Sequence, residues 1–148
     1  MAAVRVVGAV LALAASGCAA RPAGSLPPPF TARVVDVFQG QDPHPSPGLP
    51  PGAFVFVTVE FEGRARLDAM EYELRIGDAS IGKSEINVPL EIHGIAAFDL
   101  TVRSPRVPAE EVVQKFKELR DARVVGTARG SDASGRAFEL RFEARYHP

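Results

Sequence analysis

The stretch AFVFVTVEFE, residues 53–62, decides the fold, because its side chains alternate between the two faces of a strand. One face is apolar throughout: Ala53, Val55, Val57, Val59 and Phe61. The other face changes from aromatic to polar along the stretch: Phe54, Phe56, Thr58, Glu60 and Glu62. A strand with one apolar face and one partly polar face is typical of an antiparallel sheet that meets water on one side.

Similar alternation on both sides of this stretch predicts further strands. They cover residues 30–38, 67–76, 79–83, 85–92, 95–102, 123–129 and 137–146. Gly77 and Asp78 predict a tight hairpin turn, and Gly94 is expected to end the strand before it. Pro89 lacks the N–H that a central strand needs, so it indicates an edge position. The imperfect alternation of residues 30–38, with Val35 and Val37 sharing a face, also suggests an edge strand.

One helix is predicted, at residues 109–120, AEEVVQKFKELR. Its acidic residues lie in the first turn and its basic residues near the end, which suits the helix dipole. An apolar stripe at helical spacing is formed by Val112, Val113, Phe116 and Leu119. This stripe is either a surface that binds a partner or a membrane, or a face that packs on the domain's own sheet. The second interpretation is favoured, because the stripe is narrow and the polar face carries both charges.

Short strands with turns at regular spacing and a single late helix predict an all-β domain over residues 30–148. Strands and helices do not alternate, which disfavours a parallel α/β fold. The expected architecture is an antiparallel β-sandwich of the immunoglobulin or fibronectin type, with about seven strands.

The N-terminal run VVGAVLALAASGC, residues 6–18, is apolar, short and closed by Ala15-Ser16-Gly17-Cys18. It predicts a bacterial lipoprotein signal peptide over residues 1–17, with Cys18 as the lipidated first residue of the mature protein. The alternative is cleavage after Ala19 or Ala20, which would leave the protein unanchored. Its uninterrupted apolar part, residues 6–15, is about half the length that a membrane-spanning helix needs. Residues 18–29 then form a proline-rich tether.

Cysteine usage and charge support this interpretation. Cys18 is the single cysteine, so no internal disulfide can form, and lipidation accounts for an unpaired thiol in a secreted chain. Residues 1–17 contain Arg5 and no acidic residue, so the chain from Cys18 onward has 16 basic and 18 acidic residues and a net charge of −2. This balance gives no reason to expect nucleic acid as a partner. Ala19 after Cys18 favours the periplasmic face of the outer membrane in a Gram-negative cell.

No motif in the sequence predicts catalysis, a metal or a cofactor. The G-x-S-x-G and phosphate-loop patterns are absent, and His44, His93 and His147 lie far apart. Glu91 and His93 are two residues apart on a predicted strand and are expected to pair at the surface. The sequence therefore predicts a protein that is not an enzyme.

Residues 54–146 resemble the group 2 late embryogenesis abundant family, also called the water-stress and hypersensitive-response domain. The segments that carry the resemblance are FVFVTVEFE with LDAMEYELRIGDASIGKSE, residues 95–102, VPAEEVVQKFKELRDARVVGTARG and FELRFEARY. The resemblance implies a small β-sandwich with one helix, no catalysis and an association with desiccation or other stress.

The expected function is that of an envelope lipoprotein whose domain binds a partner or protects against stress. Two alternatives remain open. The domain is an accessory subunit of an envelope complex, joined through an edge strand or the Val112–Phe116–Leu119 face. In the other alternative, the domain carries a lipid or another apolar ligand between its sheets. Phe54, Phe56 and the other phenylalanines would line that space, although core packing is the default role of such residues.

Overall fold

A computed structural model describes residues 26–42, 47–48, 53–103 and 108–146. The described residues form six strands and one helix: β1 (Phe30–Gln41), β2 (Ala53–Ile76), β3 (Ala79–Ile86), β4 (Leu90–Arg103), α1 (Ala109–Glu118), β5 (Ala122–Asp132) and β6 (Ala137–Tyr146). The prediction of a mostly-β domain with one short helix is confirmed. The predicted signal peptide with Cys18, and the histidines His44 and His147, lie outside the described residues.

Strand β2 is the centre of the sheet, because it pairs with four other strands. Its first half pairs with β1 and β4, and its second half pairs with β5 and β3. The prediction of two strands separated by residues 63–66 is wrong. Gly63 pairs with Phe30 on one side and Gly94 on the other, and the ladder continues without a break. Buried and exposed side chains continue to alternate here, because Arg64 and Arg66 face solvent while Ala65 and Leu67 lie in the core.

Four strands close into a barrel-like ring. The ring runs from β1 through β6 and β5 to β2, and β2 returns to β1. Arg33 pairs with Arg145 and Val34 with Tyr146, which joins β1 to β6 in parallel. This short parallel ladder departs from the predicted antiparallel arrangement, and it gives β1 a neighbour on each side. Strands β3 and β4 lie outside the ring, each paired with β2.

A β-bulge explains the irregular alternation of β1. Val34 and Val37 are buried, whereas Val35 is 39% exposed. The register with β2 shifts between Val34 and Asp36. A bulge inserts one extra residue and so changes which face the following residues occupy. The prediction that Val35 and Val37 share a face is therefore wrong.

The break between β3 and β4 lies at residues 87–89, at Pro89, and Gly94 lies inside β4. Gly94 was expected to end a strand, but it adopts φ 85° while paired with Gly63. Pro89 has no N–H to donate to the ladder, so the pairing of strands stops there. Gly94 keeps its N–H, so the ladder continues through it despite its positive φ.

The helix packs on the sheet through its apolar stripe. Val112 and Phe116 are fully buried, and the ring of Phe116 lies 6.0 Å from that of Tyr146. Lys117 Nζ lies 3.5 Å from Asp36 Oδ1 on β1. Because Val112 and Phe116 belong to the core, they offer no surface to a partner. Leu119, which lies just after the helix, also belongs to the predicted binding surface, and 38% of this residue is exposed to solvent.

Side chains fill the space between the strands. The ring of Phe61 lies 5.4 Å from Phe30 and 5.9 Å from both Phe98 and Phe142. Phe54 and Phe56, expected to line an interior ligand space, instead alternate with the buried Val55 and Val57 and are only partly buried. A strand sends successive side chains to opposite faces, so neither residue faces the core.

Candidate functional site

The predicted tether is fixed to the domain at its last residues. The Arg64 backbone N–H donates a hydrogen bond to the carbonyl oxygen of Pro29 at 3.1 Å. Gly63 permits this close approach, since a Cβ there would lie 2.2 Å from the Pro29 carbonyl oxygen and 2.8 Å from the Cα of Phe30. Its φ of 155° is also one that other residues rarely adopt. The chain therefore enters the domain at a defined point on β2.

A groove of about 620 Å³ opens beside this entry point, and we call it the tether groove. Its apolar lining comes from the tether and from the start of β6: Leu26, Pro27, Pro28, Pro29, Phe138 and Leu140. Its polar lining comes from β2 and from the β5–β6 turn: Arg64, Asp132, Ser134 and Arg136. An apolar groove with a few polar groups is the usual composition of a site for a partly apolar ligand.

The β5–β6 turn is held by the carboxylate of Asp132. Asp132 Oδ1 accepts hydrogen bonds from the Ser134 hydroxyl at 2.6 Å, the Ser134 N–H at 2.9 Å and the Arg136 N–H at 3.0 Å. Asp132 Oδ2 accepts from Arg136 Nη2 at 3.2 Å. The Ser134 hydroxyl, followed by the Arg136 N–H, lowers the pKa of Asp132 from 3.8 to about 2. Asp132 therefore stays ionised down to strongly acidic pH, and its charge offsets that of Arg136.

Arg64, unlike Arg136, is not held by a carboxylate. Its backbone N–H holds Pro29, but within the described part of the chain its exposed guanidinium has no hydrogen bond or ion pair. Of the two described cations that line the tether groove, Arg136 is therefore ion-paired and Arg64 is not.

A second groove, of about 810 Å³, crosses strands β3, β2, β5 and β6, and we call it the charged groove. Six charged side chains line it: Glu71, Glu73, Lys83, Glu85, Arg141 and Glu143. Hydrogen bonding from the Ser80 hydroxyl, followed by the charges of Lys83 and Arg75, lowers the pKa of Glu73. An ionised carboxylate of this kind is suited to binding a cation, whereas a general acid needs a raised pKa.

The remaining predicted residues lie at the surface or outside the described ranges. Glu91 Oε2 lies 3.7 Å from His93 Nε2, which confirms the predicted surface pair. Among the described residues, no three histidine, cysteine or acidic side chains come together as a metal site. In the same residues, no helix combines the length and the apolar character needed to cross a membrane.

The tether groove was not predicted from the sequence. Its two walls come from residues 26–29 and from β6, which lie at opposite ends of the domain's sequence. The proline run and the alternation of β6 were both visible, but no local pattern shows that they meet.

No protein-family model matches the sequence, and no curated protein is similar to it by sequence comparison. The assignment of function therefore rests on the residues and geometry described above.

Proposed function

We propose that the protein is an envelope lipoprotein without catalytic activity. Residues 1–17 are removed as a signal peptide, and Cys18 carries the lipid that holds the domain at the membrane. The sequence Ala15-Ser16-Gly17-Cys18 after a short apolar run carries this proposal. Ala19 supports sorting to the periplasmic face of the outer membrane.

The folded domain supports a binding or stress-protective role. In the described residues, one helix late in the chain and strands on both sides of β2 are in keeping with the resemblance to the group 2 late embryogenesis abundant domain. The two halves of β2, each with its own neighbours, are compatible with the two layers of an immunoglobulin-like sandwich. The filled core favours this role over a carrier that holds its ligand between the sheets.

Cell fractionation with a Cys18→Ala variant tests the anchor. We expect the wild-type protein in the membrane fraction, because a thioether-linked lipid is retained there. The variant should leave that fraction or remain as an uncleaved precursor of higher mass. A variant that stays in the membrane fraction with the mass of the wild-type protein would contradict the anchor.

The stress role is tested in cells that lack the protein. We expect survival after drying to fall in the deletion strain and to recover when the wild-type chain is restored. Equal survival with and without the protein would leave binding, without stress protection, as the role of the domain.

The charged groove favours a second candidate, an accessory subunit of an envelope complex. Four carboxylates and two cations on one open face give a pattern that a protein partner with the opposite pattern would recognise. The test compares pull-down from detergent extract by wild-type protein and by a Glu71→Lys, Glu85→Lys variant. Loss of a stoichiometric partner in the variant supports the candidate, and the absence of any such partner with the wild-type protein contradicts it.

A further inference from the structure

We propose that the domain rests against the bilayer through the end that bears the tether groove, with Arg64 contacting lipid phosphate and Leu26 contacting acyl chains. The occupant of this surface is the lipid of the membrane that holds Cys18. The inference rests on the proposed lipidation, and its test separates the two.

The length of chain outside the described domain limits which surface meets the membrane. Leu26 is eight residues after Cys18, so a fully extended chain separates them by at most about 29 Å. Pro29 is fixed to Arg64, and this end of the domain therefore stays close to the anchor. The opposite end of β5 lies about 33 Å from the β5–β6 turn, at the usual rise per residue.

Apolar groups are exposed at the tether end. Leu26 is 59% exposed and lines the groove together with the prolines of the tether, Phe138 and Leu140. Ile95 is 64% exposed, and it follows Gly94, which pairs with Gly63 beside the entry point. Apolar side chains of this kind gain from insertion into the headgroup and upper acyl region of a bilayer.

Arg64 supplies the matching polar contact. A guanidinium binds phosphate oxygens with two parallel hydrogen bonds, and phosphate lies at the depth where the apolar residues would enter lipid. Arg136 lines the same groove but is held by Asp132. The cation that a lipid phosphate can engage without breaking an ion pair is therefore Arg64.

The test uses tryptophan, because the chain contains none and a single Trp reports one position. The probe is full-length lipidated protein in vesicles of phosphatidylcholine and phosphatidylglycerol whose acyl chains are brominated. Leu26→Trp places the reporter in the tether groove. Leu119→Trp is the matched control, since Leu119 is also a partly exposed leucine but lies next to the start of β5, away from the β5–β6 turn.

We expect brominated lipid to quench the fluorescence of Leu26→Trp at least twofold and to leave Leu119→Trp nearly unchanged. Arg64→Gln in the Leu26→Trp background should weaken the quenching. Arg120→Gln, which removes an exposed arginine beside Leu119, should not. Circular dichroism of each variant checks that the fold is retained.

Other occupants give different results. If the acyl chains on Cys18 fill the groove, Leu26→Trp is blue-shifted in ordinary vesicles but is not quenched by brominated host lipid. If a second copy covers it, the blue shift appears in lipid-free Cys18→Ala protein and depends on protein concentration. Either result, or equal quenching of both Trp variants, overturns the proposal.

The intact mass of each sample is measured first. A lipidated protein with unquenched Leu26→Trp overturns the contact with the bilayer and leaves the anchor standing. A protein without lipid on Cys18 overturns the anchor and this inference together.

Discussion

At the scale of single residues, Tyr72 joins two parts of the sheet that do not pair directly. Its side chain lies on the second half of β2 and is 5% exposed. The hydroxyl donates to the Thr101 carbonyl oxygen at 2.9 Å and accepts from the Thr101 N–H at 3.1 Å. Thr101 pairs with the first half of β2, so Tyr72 ties the second half of β2 to β4.

We predict that Tyr72→Phe lowers the free energy of unfolding by about 1–3 kcal/mol, because it leaves partly buried backbone groups of Thr101 without their hydrogen-bond partner. Tyr146→Phe is the control, since the Tyr146 hydroxyl has no hydrogen bond within the described residues. It should change stability by less than about 0.5 kcal/mol. Urea unfolding of both variants measures the difference, and equal effects would contradict the role of the Tyr72 hydroxyl.

Tyr72 should also make the free energy of unfolding depend on pH in the alkaline range. Burial raises the pKa of Tyr72 above its ordinary value of 10.0 in the folded state. Above pH 10 the unfolded chain loses this proton before the folded protein does, so the free energy of unfolding falls as pH rises. The contribution is fully present below pH 10. Urea unfolding from pH 8 to pH 11 should show a steeper decline for the wild-type protein than for Tyr72→Phe, and parallel curves would contradict the account.

The low pKa of Asp132 can be tested by removing the hydroxyl group that lowers it. Its pKa of about 2 depends first on the Ser134 hydroxyl, so Ser134→Ala should raise the pKa toward 3.8. Ser131→Ala, one residue before Asp132, should leave the pKa unchanged because Ser131 makes no side-chain hydrogen bond in the described residues. NMR titration of the Asp132 carboxyl measures both. The stability that this ionised group contributes is present above pH 3.8 and is lost as the pH falls through about 2.

At the scale of secondary-structure elements, substitutions in the apolar stripe of α1 test whether the helix is part of the core. Phe116→Ala should cost about 3–5 kcal/mol, because it empties a fully buried aromatic site. Leu119→Ala should cost less than about 1 kcal/mol, because Leu119 is partly exposed and just outside the helix. Thermal or urea unfolding distinguishes the two. Similar, small effects of both changes would mean that the helix is not part of the core.

The contact between β3 and β4 depends on Gly82. A Cβ at this position would lie 2.3 Å from Val102 Cγ1 and 2.5 Å from the Arg103 carbonyl oxygen. We predict that Gly82→Ala lowers the free energy of unfolding by about 1–3 kcal/mol, since the backbone of β4 must move to admit a methyl group. Lys83→Ala, at the exposed neighbouring position, should be nearly neutral. An alanine tolerated at both positions would contradict the close packing of β3 on β4.

Local patterns predicted most elements but not all of their boundaries. The alternation in residues 54–62 and 137–146 predicted the buried faces correctly, because period-two burial is a local property of a strand. The bulge between Val34 and Asp36 placed Val35 and Val37 on different faces, and the unbroken ladder through Gly63 joined two predicted strands. Both depend on partner strands that the local sequence does not specify.

At the scale of the whole molecule, closure of the ring and the tether groove are set by residues far apart in sequence. Arg33 meets Arg145, and Leu26 lines a groove with Phe138. Such pairs could not be predicted from patterns along the chain. The result is a domain with two different ends. One holds residues 26–29, Arg64 and exposed apolar groups, and the other holds the β2–β3 turn, where Ile76 pairs with Ala122 just after α1.

The intact mass of the protein purified from membranes is the most direct test of the proposed anchor. We predict a chain that begins at Cys18 and carries a diacylglyceryl thioether and an amide-linked acyl group, with both additions located on Cys18 by fragmentation. A mature chain that begins after Ala19 or Ala20 and carries no lipid would contradict the account.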